Sequence, residues 1–359
     1  MNRRQFCSAG LATLAAACKL PPARIATPRP AAVPVSALRR LVVARTDPVL
    51  GRCRYVAELA GRTIPQPILV ARRGEQFDAV IENALPQPTT VHFHGLTLPE
   101  AADGAGFDPI APGARQRVRF EVQNRSGLYW FHPHAHGFTA EQVYGGLTGL
   151  LVVTDEDDEA LDAALGLAPG NRLALAIADV RVAGGVIRPY APSAQECLHG
   201  WFGNRALVSG ALDAHWPVAP GWVRLQLLNA CNARGLLLAF RDGARPVPFH
   251  LLGSDGGLLG APRALERVFL YTGERVDVAI DVRRRSALAA ISLAFDPRHH
   301  HGQGTVPAHR HPARGLHPPL SAASVCDSAP GDTLPDGAEL PLFTLQVASG
   351  GGDAMPPLP

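Results

Sequence analysis

The chain lacks the marks of several large functional classes. No phosphate loop or dinucleotide fingerprint follows any strand-like segment, so nucleotide chemistry has no support. Arg and Lys form no basic run and the formal net charge is only +3, which leaves nucleic-acid binding without an electrostatic footprint. No apolar stretch is long enough for a permanent membrane-spanning helix. Cysteine is sparse. Cys7 and Cys18 lie near the N-terminus, and Cys53, Cys197, Cys231 and Cys326 are far apart with no C-x-x-C among them. Such spacing assigns no disulfide, and most of these four are expected as buried free thiols. Charged residues are 18% against 47% apolar, the balance of a packed globular protein and not of a disordered one.

What is present points to β structure. The 359 residues suffice for two domains, and 36 Gly with 33 Pro imply many turns and short elements. Gln116 to Val122 alternates Val118, Phe120 and Val122 with Arg117, Arg119 and Glu121, the pattern of a half-buried strand. Gly149 to Val153 reads as a fully buried strand. Asp155 to Leu167 follows as a short helix whose acidic start suits a helix N-terminus. A second strand series occupies Asn171 to Val180, Trp222 to Asn229 and Val268 to Val282. The expected architecture is all-β: two antiparallel sandwiches in tandem, over 36–157 and 158–296.

The two ends differ in character. Arg3-Arg4 before the apolar run Ala9 to Cys18 reads as a twin-arginine export signal, placing the protein in the periplasm; residues 1–35 are this signal and a Pro/Ala-rich lead. Residues 297–359 form a His/Pro/Gly-rich linker and tail. Six of the 14 His fall between His299 and His317, in a segment that reads either as a metal-gathering loop or as a solvated linker. One strand-like run, Leu342 to Val347, follows it.

The chemistry is carried by two histidine stretches. Val91 to Gly95 reads V-H-F-H-G, and Gly127 to Gly137 reads G-L-Y-W-F-H-P-H-A-H-G. Alternate residues of an extended strand share a face, so His92 with His94, and His132, His134 and His136, are each offered as a group. Imidazole is a ligand for Cu, Zn, Fe and Ni, and two such strands side by side suit a metal cluster.

These stretches, with the run on to Val153, resemble the first domain of a multicopper oxidase. The resemblance continues through W-V-R-L-Q-L-L-N-A-C-N-A-R (Trp222 to Arg234), G-S-D-G-G-L-L and T-G-E-R-V-D-V, covering roughly residues 40 to 295. It implies tandem cupredoxin-like Greek-key sandwiches and a trinuclear copper cluster that reduces O2 to water. By the same resemblance His92 binds a type 2 copper, and His94, His132 and His134 bind type 3 coppers. His136 would sit beside the ligands and hydrogen-bond to them. Asp103, in E-A-A-D-G, matches a proton-delivering aspartate, or is a turn residue before Gly104.

The departures are specific. Neither H-x-x-H-x-H nor H-C-H, the third-domain motifs of a complete enzyme, occurs in the sequence. Cys197-Leu198-His199 lacks a leading His, and Met355 has no Cys or His nearby. A type 1 copper needs a thiolate with two His. The chain thus reads as the first two domains of a three-domain oxidase, the third missing or supplied by a separate polypeptide or subunit. Three functions follow as expectations. One is an oxidase of phenols, bilirubin-like compounds or Cu(I) coupled to O2. The second is a non-catalytic periplasmic copper-binding or copper-tolerance protein, and the third an exported scaffold that holds no metal. Only Met1 and Met355 are present, so the Met-rich Cu(I)-gathering insert of some relatives is absent or replaced by the His-rich segment.

Overall fold

The computed structural model describes residues 26–295, 334 and 338–349. The expected export signal, the His299 to His317 segment, Cys326 and Met355 lie outside the described residues.

Two cupredoxin-like sandwiches are formed in tandem. The first faces two five-stranded sheets, one ordered Arg62–Pro65, Arg52–Leu59, Arg40–Asp47, Gln76–Ala84, Arg115–Glu121. The other runs Ala32–Pro34, Ile68–Arg72, Gly149–Thr154, Gly127–His132, His92–His94. Period-2 patterning explains the first core. Val118 and Phe120 point inward, where Phe120 stacks on Phe77 at 4.8 Å, while Arg117 and Arg119 stay outside and bind Asp78. The second sandwich faces a seven-stranded sheet against a six-stranded one, around Trp216, Leu225, Leu227, Phe240, Phe249 and Val278.

The sheets are mixed, not antiparallel as the sequence suggests. Gly149–Thr154 runs parallel to Ile68–Arg72, and Arg172–Val180 parallel to Trp222–Asn229. In a sandwich the chain crosses to the opposite sheet before it returns, so strands distant in sequence come to lie side by side and aligned. A second difference concerns the tail. Leu340–Val347 pairs antiparallel with Ala287–Ser292 and parallel with His215–Val218, closing the six-stranded sheet. Its Leu340, Leu342, Phe343, Leu345 and Val347 are buried in the second core, well past the expected boundary at 296. Burial explains why this run is more than tail.

Among the described residues the cysteines are free, with Cys231 buried, Cys53 half-buried and Cys197 exposed. Among the described residues the expectation of buried thiols therefore fits Cys231 best.

The helix Glu156–Leu165 joins the sandwiches. Asp155 caps it by accepting from the Asp158 amide, with four acidic residues in the first turn. Asp158 and Asp162 then pair with Arg172 and with the fully buried Arg224, which also binds Asp277. Burial opposes the Arg224 charge, yet attraction to three carboxylates holds this guanidinium above its ordinary pKa. Between the sandwiches, Leu128, Trp130, Leu150 and Val152 pack on Ala174, Leu228 and Ala230.

Candidate metal centre

Strand alternation decides where the histidines go. Phe93 and Phe131 are fully buried in the first core. Their neighbours His92, His94, Trp130 and His132 therefore take the opposite face, which looks toward the second sandwich. The two histidine strands pair antiparallel, with His92 opposite His132 and His94 opposite Trp130. Two short strands thus bring three imidazoles together.

His92, His94 and His132 each offer a ring nitrogen, and these atoms lie within 4.8 Å of one another. Their tautomers are set by neighbours. His132 Nδ1 lies 2.8 Å from the Pro133 carbonyl, so it carries the proton and Nε2 keeps its lone pair. His92 Nδ1 lies 2.9 Å from the Asp103 carbonyl, which likewise leaves Nε2 free. His94 Nδ1 faces His132 Nε2 at 3.4 Å. Two nitrogens held about 2.0–2.1 Å from one tetrahedral ion stand about 3.3 Å apart, so this pair fits a shared metal without movement.

Electrostatics keep the rings available. Burial pushes the His132 imidazole down to about 3, against the pull of the Pro133 carbonyl. Burial, then the charge of Arg275, brings His94 down to about 4. Both rings are neutral at physiological pH, the form in which imidazole binds metals.

His134 departs from the strand expectation. The histidine strand ends at His132, because Pro133 has no N–H to give the ladder, and the chain turns there. The His134 amide donates to Thr90 Oγ1 at 2.8 Å, and its ring sits 5.2 Å from that of His92. His134 lines the same cavity as the other three but stands outside their tight group. His136 is exposed and makes no hydrogen bond to the other histidines among the described residues. Asp103 does reach the site: its carboxylate lies 3.4 Å from His92 Nδ1, farther than its carbonyl. Gly104, in the left-handed region, lets this loop pass Val91, whose carbonyl oxygen would be 2.2 Å from an added Cβ.

The histidines open into a cavity of about 400 Å³ between the sandwiches, closed by Thr139, Val143, Ala230, Asn232 and Gly273. Asn232 of the second sandwich donates to the Ala140 carbonyl, fixing the short helix Thr139–Gly145 as a wall. A larger space of about 500 Å³ lies beyond Val143 and Ala230, but holds no histidine and so none of this chemistry.

Two contributors escape a reading of the histidine spacing alone. Trp130 stacks on His132 with centroids 4.1 Å apart and leans on His94 at 4.9 Å, keeping both rings upright. Arg275, buried in the second sandwich, donates to the Leu128 carbonyl on the histidine strand. The signals were at hand in the alternation that puts Trp130 beside His132, and in T-G-E-R-V-D-V, which carries Arg275.

Comparison with known proteins agrees with this geometry. A family model described as multicopper oxidase matches residues 50–158. The chain is 31% identical over 218 residues to cell division protein FtsP of Xenorhabdus nematophila, covering 61% of this chain and 45% of that protein. It is 31% identical over 218 residues to multicopper oxidase mco of Staphylococcus aureus, covering 61% and 47%. Among solved structures it resembles a laccase-like multi-copper oxidase, CueO, of Ochrobactrum sp., described as active towards lignin model compounds and lignosulfonate. That match has a TM-score of 0.67 and 27% identity, over 90% of this chain and 64% of the other. The chain spans a little under half the length of the two curated relatives.

Proposed function

We propose that this chain is a partial multicopper oxidase, in which His92, His94, His132 and His134 hold the first-domain share of a copper cluster that reduces O2 with electrons from a small reducing substrate. The observation that carries this is the 3.4 Å approach of His94 Nδ1 to His132 Nε2 in a neutral, desolvated pair. His92 takes the type 2 position, and His94, His132 and His134 the type 3 positions. Copper, when bound, supplies the electron transfer to O2. The chain's own residues orient and desolvate it: Trp130 props the rings, the Asp103 and Pro133 carbonyls fix the tautomers, and the cavity walls limit water. Asp103 Oδ2, 3.4 Å from His92 Nδ1, is positioned to relay protons toward reduced oxygen.

Four imidazoles are too few for three metals, and among the described residues no cysteine joins two histidines in one site. A further cupredoxin domain, on the same or a separate polypeptide, supplies the remaining ligands and the type 1 copper. The substrate class is phenolic compounds or Cu(I), and the location periplasmic, from Arg3-Arg4. The test is to titrate the chain with copper and assay phenol oxidation with and without a third-domain polypeptide. Expected are copper uptake without turnover, and turnover once that domain is added. Phenol oxidation by the chain alone would contradict the missing type 1 centre.

The similarity to proteins named for cell division favours a second reading, a non-catalytic exported protein on the same fold. A copper-binding form of it would retain uptake but stay inactive with any third domain, and a pure scaffold would take up no copper.

A further inference from the structure

Arg275 reaches from the second sandwich to both histidine strands. Its Nε donates to the Leu128 carbonyl at 3.0 Å, on the strand that ends at His132. Its Nη1 donates to the Gly273 carbonyl at 3.2 Å, and its Nη2 to the Asp255 carbonyl at 3.1 Å. On the other strand, Gly95 follows His94 directly, and a Cβ there would lie 2.8 Å from Arg275 Nη2. With its φ at +82°, Gly95 is both the turn and the clearance for the guanidinium. The loop that Arg275 grips also touches His94: a Cβ on Gly273 would sit 3.6 Å from His94 Cε1.

We propose that Arg275 is a positioning residue for the copper centre, fixing the His94 and His132 strands while its permanent charge favours Cu(I) over Cu(II) at His94. The inference rests on the copper reading above. A guanidinium does not lose its proton in a protein, and its repulsion of an ion rises with that ion's charge. The Arg275 side chain is only 4% exposed, whereas its partner carboxylate on Asp255, 2.6 Å away, is 44% exposed. Solvent therefore screens the counter-charge more than the charge.

The test measures Cu(I) affinity by anaerobic competition with bicinchoninate and Cu(II) affinity by competition with nitrilotriacetate. It compares the wild-type chain, Arg275→Met, Arg275→Lys and Asp255→Asn, each with its melting temperature. Arg275→Met is expected to shift the affinity ratio toward Cu(II) by about tenfold. Arg275→Lys keeps the charge but loses the fork, so both affinities weaken while the ratio stays near wild type. Asp255→Asn, exposed enough to fold if Arg275→Met does not, shifts the ratio the other way, toward Cu(I). Equal loss of both ions in Arg275→Met, or an unchanged ratio in Asp255→Asn, overturns the proposal by reducing Arg275 to a strut. A wild-type chain that takes neither ion removes the copper reading itself, and this inference with it.

Discussion

His94 Nδ1 and His132 Nε2 face each other across 3.4 Å, on neighbouring strands, with a tryptophan braced against both rings. The His132 nitrogen carries no proton, so the contact is a weak N–H···N bond that a metal can replace. Removing either ring is expected to weaken copper binding by more than the roughly 10–100-fold that loss of a ligand's supporting partner costs. Titration of His94→Ala and His132→Ala checks this; binding within a few-fold of wild type would remove the pair from the site.

Trp130 gives a graded version of that experiment. Its ring holds His132 and His94 without offering a ligand atom, so Trp130→Leu should keep copper stoichiometry and weaken affinity by about 10-fold or more. Isothermal titration reports both numbers, and a lost equivalent of copper would show that Trp130 does more than brace.

The lowered pKa values set a pH dependence of stability. His94 and His132 titrate near 4 and 3 when folded, and near 6.5 when unfolded. Between these values the unfolded chain binds more protons, so metal-free stability rises with pH up to about 6.5 and falls as pH drops toward 4. Each imidazole contributes a slope of up to about 1.4 kcal/mol per pH unit. Urea midpoints for wild type and His132→Gln at pH 7, 5.5 and 4.5 check it. The variant's curve should be flatter, and parallel curves would contradict the burial argument.

Asp103 separates structure from proton chemistry. The carbonyl, not the carboxylate, makes the closer contact with His92. Asp103→Asn should therefore leave copper affinity within about threefold, while O2 reduction by a completed enzyme slows by about 100-fold. Gly104→Ala should instead weaken copper affinity itself, since its methyl would strike the Val91 carbonyl and shift the histidine strand. Stopped-flow O2 consumption beside copper titration distinguishes the two.

The buried network around Arg224 carries the join between helix and second sandwich. Asp277→Ala removes one of three carboxylates from a fully buried guanidinium and is expected to cost about 3–5 kcal/mol. Adding Arg224→Met should recover part of that loss in chemical denaturation, because the stranded charge is then gone.

Much of this was legible in the sequence because it rests on strand periodicity. The H-x-H spacing, and Phe93 between its two histidines, already put His92 and His94 on one face. The place of His134 was hidden by Pro133, which breaks the strand that the spacing assumes. His136 follows the same break out into solvent. The mixed sheets and the late strand Leu340–Val347 depend on pairing across the sandwich, a long-range choice that local patterning does not record. T-G-E-R-V-D-V marks Arg275, but its contact depends on the same long-range pairing, since its partner strand lies 147 residues away.

The central claim is that these four histidines form a copper site, and X-ray absorption of the copper-loaded chain tests it most directly. The account predicts nitrogen-only imidazole coordination in wild type, lost together with the bound copper when His92, His94, His132 and His134 are all replaced by alanine. A quadruple variant that kept the same spectrum and stoichiometry would place the copper elsewhere and contradict the account.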